Sequence, residues 1–166
     1  MSAEGAAPAS ATAAPFLVSK RVELLTGDTW RERGKLYRLY GVQSCLRGTV
    51  ALDANGKELD CGNVSIAHLA ALFSTTAVTC QPIALALDEA TFVVCGAKLG
   101  GNTIDLGTAL IAAGYAFAAT DAKGNAVCAN YLVAELNAKM KADGLWATKF
   151  QHPIELLLKG AGERNQ

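Results

Sequence analysis

The sequence has little of what usually betrays a function. Fifteen basic residues offset fifteen acidic ones in 166, so the net charge is zero. No global field draws in a polyanion, and a strongly electrostatic nucleic-acid binder is not expected, although weak or local phosphate binding is compatible with this balance. No apolar run approaches the roughly 18 residues of a membrane span. Histidine is confined to His68 and His152, and no two cysteines stand as C-x-x-C, so the spacing of a zinc site is missing. There is no internal repeat. What remains is a composition of 51% hydrophobic and 18% charged residues, long enough for one domain with a buried core.

Cysteine, by contrast, is plentiful: Cys45, Cys61, Cys80, Cys95 and Cys128. Without a metal pattern, disulfides formed in an oxidising compartment are the expected reading, and five reduced core thiols the alternative. Two bonds among five cysteines can be made in fifteen ways: five choices of the odd thiol, three pairings of the rest.

Residues 1–15 are Ala/Pro/Ser/Thr-rich and aperiodic, which predicts a disordered arm. They lack a charged n-region followed by an apolar h-region, so an intact signal peptide is not expected there. Phe16 to Leu25 reads as a first strand. The stretch Leu24 to Ser44 then reads as a hairpin, the one place where acidic and basic groups cluster. Thr26-Gly27-Asp28-Thr29 is a tight turn tipped by a carboxylate, and Trp30 to Arg33 and Lys35 to Val42 flank a turn at Gly34. After an Asn55-Gly56 turn, Asn63 or Ser65 can cap a helix with an Ile66, Leu69, Leu72 and Phe73 stripe, in which His68 is an ordinary packed or solvated residue. Ala77 to Leu85 and Thr91 to Ala97 read as two strands. A turn centred between Leu87 and Asp88 sets Cys80 opposite Cys95, close enough for a disulfide in some registers. Asp105 to Ala113 predicts a short helix stopped by Gly114. A last helix over about Asn125 to Ala142 is expected to bury Val127, Tyr131, Leu132, Leu136 and Met140 and to end at Gly144. Residues 16–150 thus form the folded domain, and 151–166 a tail whose Ile154 to Leu158 segment is apolar enough to dock. Five strands with about three helices predict an α+β fold of OB type, a five-stranded barrel.

At this point the chain resembles the staphylococcal nuclease (thermonuclease) family over roughly Val22 to Phe150. The resemblance rests on Gly27-Asp28-Thr29, Arg38-Leu39-x-Gly41-Val42 and Asp105-Leu106-Gly107-x-x-Leu110-x-x-x-Gly114-Tyr115-Ala116. It continues through Tyr131-x-x-x-Glu135-x-x-Ala138 into Gly144-Leu145-Trp146. The positions of Cys45, Cys61, Cys80 and Cys95 resemble a cysteine-containing, exported bacterial branch. That likeness implies Cys45–Cys61 and Cys80–Cys95 bonds, an unpaired Cys128 and a periplasmic or secreted location.

The same resemblance implies a dismantled active site. Family enzymes hydrolyse DNA and RNA with one Ca²⁺ held mainly by two aspartates, a glutamate that positions water and two arginines on the phosphate. Asp28 matches the first aspartate and Arg38 the first arginine. Where the remaining acids belong the chain has Gln43-Ser44-Cys45-Leu46, and where the second arginine belongs it has Asp88-Glu89-Ala90-Thr91. Ca²⁺ takes 6–8 oxygens, so one turn aspartate is a poor site. A missing general base costs about 10²–10⁴ in rate. Asp28 and Arg38 are therefore expected as remnants that pair with each other, with no competent catalytic residue, metal or cofactor. Asp53, Glu58 and Asp60 are the nearest possible stand-ins.

Three functions follow as expectations. The first is a non-enzymatic binding or scaffold module with a protein partner, in a protein assembly of the cell envelope. The second is a Ca²⁺-dependent phosphodiesterase with relocated acids. The third is weak nucleic-acid binding through Arg31, Arg33, Lys35, Arg38 and Arg47, with Trp30 and Tyr40 available for stacking.

Overall fold

Residues 13–164 are described by the structure, a computed structural model. Most of the arm expected at 1–15 lies outside them. Seven short strands come first: β1 (Phe16–Leu17), β2 (Glu23–Leu24), β3 (Thr29–Glu32), β4 (Lys35–Leu39), β5 (Val42–Gln43), β6 (Val50–Leu52) and β7 (Glu58–Asp60). Helix α1 (Cys61–Thr75) leads to β8 (Val78–Leu85), β9 (Thr91–Leu99) and β10 (Asn102–Asp105). After α2 (Leu106–Ala112) and β11 (Phe117–Ala118) come α3 (Ala129–Lys141), a 3₁₀ turn at Gly144–Ala147 and α4 (Pro153–Arg164).

The fold is mixed α+β, with its main sheet curled as a half-barrel. That sheet runs β1-β8-β9-β4-β3-β2, with β10 also on β9; β5 pairs with β11 and β6 with β7. The expected five strands and three helices are thus a simplification. Eleven strand segments and four α-helices are present among the described residues. All but one pairing are antiparallel; β4 lies parallel to the start of β9, Arg38 beside Phe92. This contact carries Arg38 toward the β8–β9 turn.

Local chemistry explains where the expected boundaries shift. Arg33 and Gly34 both take positive φ, 52° and 77°, closing β3 on β4 through a two-residue turn. Phe16 to Leu25 does not run as one strand. Ser19 N–H donates to the buried Glu32 carboxylate, and the Lys20 ammonium caps the carbonyls of Phe73 and Thr76 at the end of α1. The chain therefore crosses between β8, which takes Phe16, and β3, which takes Glu23. Helix α1 is capped by Asp60, whose side chain accepts from Asn63 N–H, rather than by Asn63 or Ser65.

Cys80 does face Cys95, and the two are bonded. The register is reached by compensation, because the turn centres on Asp88 and an irregularity between Pro82 and Ala84 restores the expected alignment. The second bond joins Cys45 to Cys61, the first residue of α1; Cys128 is free.

Helix α3 begins only at Ala129 and ends at Ala142 in a left-handed conformation, before Gly144. Its buried face is Tyr131, Glu135 and Ala138, not the longer apolar stripe; Leu132, Leu136 and Met140 are exposed by 39%, 50% and 79%. A charged residue holds the inner face because Glu135 accepts from Ala118 N–H at 2.8 Å and lies 3.4 Å from His152 Nε2. Residues 153–164, read from sequence as part of a tail, form α4, entered at the buried Pro153 and capped where Ile154 N–H donates to His152 Nδ1. Trp30, Leu69, Phe73, Val93, Leu106 and Leu110 centre the core. Among the described residues no helix is long and apolar enough to cross a membrane.

Candidate functional site

The loop before β3, the end of β4 and the segment after β5 meet around a cavity of about 490 Å³. Asp28, Arg38 and Ser44 belong to its polar side; Tyr40, Leu46 and Phe92 are among its apolar walls. This is the place at which the two remnants of the sequence resemblance come together.

The turn that carries Asp28 packs tightly. Gly27 lies so close to α1 that a Cβ there would stand 2.6 Å from Ser65 Cβ, which explains the glycine. Asp28 is 5% exposed, and its carboxylate is committed to the protein. Oδ1 accepts from the hydroxyls of Thr26 at 2.6 Å and Thr29 at 2.7 Å, and Oδ2 accepts from Ser44 N–H at 2.8 Å. Asp28 thus ties its own turn to the segment after β5.

Arg38 does not pair with Asp28. Its Nε donates to Thr29 Oγ1 at 3.2 Å, and Nη2 donates to Asp88 Oδ2 at 2.7 Å. The carboxylate of Asp88 sits where a bound anion would neutralise the guanidinium. Sequence reading placed Asp88 in the right turn as a departure from the family pattern but missed its partner; an acid at a position expected to be basic was the available signal. The hydrogen bond from Arg38 holds the Asp88 carboxyl below its ordinary 3.8, against the upward push of desolvation and with help from Ala90 N–H and the Arg38 charge. Because the folded-state value is the lower one, its stabilisation is complete above pH 3.8 and is lost as pH falls through the depressed value. An NMR titration of the Asp88 carboxyl is expected to show this depression, and Arg38→Ala to return it to the ordinary range. An unchanged titration in the variant would remove the ion pair from the account.

The other expected residues are dispersed. Arg31 pairs with Glu23 at 2.9 Å on the hairpin, while Arg33 and Lys35 are exposed at its turn; none of the three lines the cavity. Arg47 does line it, close to Asp60. Burial pushes the Asp60 carboxyl up, but N–H groups of Asn63, Gly48 and Gly62, with the Arg47 charge, hold it below the ordinary value. Asp53 accepts from the N–H groups of Asn55 and Lys57 in its own loop, and Glu58 is exposed. Trp30 lies in the core, edge-on to Phe73, and is closed to stacking by a ligand; Tyr40 is 40% exposed at the cavity rim.

Ca²⁺ does not fit these residues. Among the described residues Asp28 is the only carboxylate lining the cavity, and its oxygens already take three protein donors. The geometry gives Asp28 a structural task instead. Asp28→Ala would leave Ser44 N–H and the Thr29 hydroxyl without their buried acceptor, and is expected to destabilise the fold by about 2 kcal/mol in urea unfolding. Stability equal to the parent would contradict that role.

Neither a protein-family model nor a curated protein matches the chain.

Proposed function

We propose that the protein is a catalytically degenerate, thermonuclease-like domain on an OB-type barrel, acting as a non-enzymatic binding module of a protein assembly in the cell envelope. The observation that carries this reading is the internal neutralisation of both remnants: Asp28 by three donors of its own chain, Arg38 by Asp88. A hydrolytic site needs these groups open to metal and phosphate; here they brace the fold around an apolar cavity. The two disulfides support an oxidising location, periplasmic or secreted. One of them, Cys45–Cys61, also ties the segment that lines the cavity to the start of α1.

The reading predicts that purified protein, incubated with Ca²⁺ and either DNA or RNA, leaves both intact. Metal-dependent cleavage that Asp28→Ala abolishes would overturn it and favour a phosphodiesterase with relocated acids. Binding of single-stranded DNA that weakens steeply with salt, without cleavage, would favour the nucleic-acid reading instead.

A further inference from the structure

The outer face of α3 carries an exposed apolar stripe. Leu132, Leu136 and Met140 follow one another at intervals of four, which places them on one side of the helix. Val133 widens the stripe and is 57% exposed, and all four side chains are open to solvent. At its N-terminal end the stripe reaches α4. Leu132 borders a cavity of about 230 Å³ together with Ile154 and Glu155. Leu157 and Leu158, three and four positions beyond Ile154, are exposed as well. An apolar surface that extends over two helices marks an interaction site. Independently of how the Asp28 site is read, we infer that this face is the interface of a homodimer. In it the α3 helices of two copies lie antiparallel about a two-fold axis near Leu136.

Charge identifies the second copy as the occupant. Glu135 and Lys139 are four positions apart and share one flank of α3. Glu135 lies 3.4 Å from His152 Nε2, and the Lys139 ammonium stands 5.5 Å over the Trp146 ring, itself 5.8 Å from the His152 ring. This flank therefore faces the chain that enters α4. Glu155 is on it too, because it borders the same cavity as Leu132 and Glu135. Glu155 thus lies beside the N-terminal end of the stripe. Lys139 lies beside the C-terminal end, about 10 Å beyond Leu132 at 1.5 Å per residue. Both are exposed, and neither has an ion pair within this chain among the described residues.

A half-turn about an axis lying in the interface, at right angles to the helices, reverses the stripe and keeps this flank on the same side. Leu136 then meets its own counterpart, and Leu132 meets Met140 of the second copy. Glu155 meets Lys139 of the second copy, and the symmetry makes that ion pair twice. The pattern is its own complement, as an isologous interface requires. An unrelated partner would impose no such symmetry on one helix face. A parallel pairing fails on the same residues. It would gather Lys139 and Lys141 of both copies at one end and align the two helix dipoles.

The test is sedimentation velocity of the purified, oxidised full-length protein over a concentration series. A reversible equilibrium between monomer and dimer is expected. Leu136→Lys puts two ammonium groups on the axis, and Met140→Lys alters the most exposed side chain of the stripe. Each should weaken dimerisation about tenfold or more, because it buries an unpaired charge, with the circular dichroism unchanged. Glu155→Lys and Lys139→Glu should each weaken it as well. The two together should restore it, since the exchange rebuilds both ion pairs with their signs reversed. A monomer at every concentration would overturn the inference. So would a dimer indifferent to Leu136→Lys and Met140→Lys, or a double exchange no better than the single ones. A dimer present only as a Cys128-linked species in non-reducing electrophoresis would overturn it too. Monomer that binds phosphatidylcholine vesicles and loses that binding with Leu136→Lys would assign the face to a lipid surface instead. Ca²⁺-dependent cleavage would remove the non-catalytic reading of the Asp28 site and leave this interface standing.

Discussion

Gly114→Ala is expected to destabilise the protein by roughly 3–5 kcal/mol, combining backbone strain with a contact that has no room to relax. Gly114 follows α2 with φ of +83°, and a Cβ there would sit on the backbone carbonyl of Asp143. That backbone is fixed in turn, because Leu145 N–H donates to Gly114 O at 3.0 Å, holding the end of α2 against the 3₁₀ turn. Leu145 is 1% exposed, so the same contact seats a core residue. Gly124 is the matched control. It has the same φ of +83° but nothing within 4 Å of its added Cβ, and Gly124→Ala is expected to cost only about 1 kcal/mol. Urea unfolding of the two variants separates strain from collision. Equal losses would show that the close approach of Gly114 to Asp143 contributes nothing.

Removing the Cys45–Cys61 bond is expected to cost about 3 kcal/mol, judged from loop-closure entropy for a separation of 16 residues. Loss of Cys80–Cys95, with a separation of 15, should cost about the same. Together they amount to roughly 6 kcal/mol, much of the 5–15 kcal/mol by which a domain is ordinarily stable. The two bonds differ in what else they hold. Cys80 and Cys95 lie in a ladder that pairs along both strands with or without the bond. Cys45 has no ladder of its own; it follows β5, lines the cavity and anchors the segment that gives Ser44 N–H to Asp28. Cys45→Ala with Cys61→Ala should therefore also disturb Asp28, seen as amide shifts at Ser44 in NMR spectra. Cys80→Ala with Cys95→Ala should lower stability and leave those signals in place. Stability unaffected by either pair would contradict the bracing role of the disulfides.

Local chemistry made much of the fold legible. The Gly34 turn, the Gly114 stop and the facing of Cys80 with Cys95 are set by residues near one another in sequence, and the structure has them. Alignment at the cysteines nevertheless owes something to an irregularity near Ile83 that periodicity does not reveal. Helix α3 was harder. Tyr131, Glu135, Ala138 and Leu132, Leu136, Met140 are both helically spaced, and hydrophobicity alone favours the second set. The inner face is decided by partners distant in sequence: Glu135 meets Ala118 N–H, and Tyr131 packs where Gly107 leaves out a Cβ. At the site, Asp28 as a turn acid was visible in the residues. Its bond to Ser44 and the pairing of Arg38 with Asp88, 50 positions away, depend on which strands become neighbours. No local pattern encodes that choice.

The most direct test of the non-catalytic reading is a calorimetric titration of the purified, oxidised protein with Ca²⁺, followed by a cleavage assay on the same sample. Internal use of Asp28 predicts no binding heat and no metal-dependent hydrolysis of DNA or RNA. A saturable Ca²⁺ isotherm accompanied by cleavage would contradict it, and would mean that the carboxylate opens to a metal in solution.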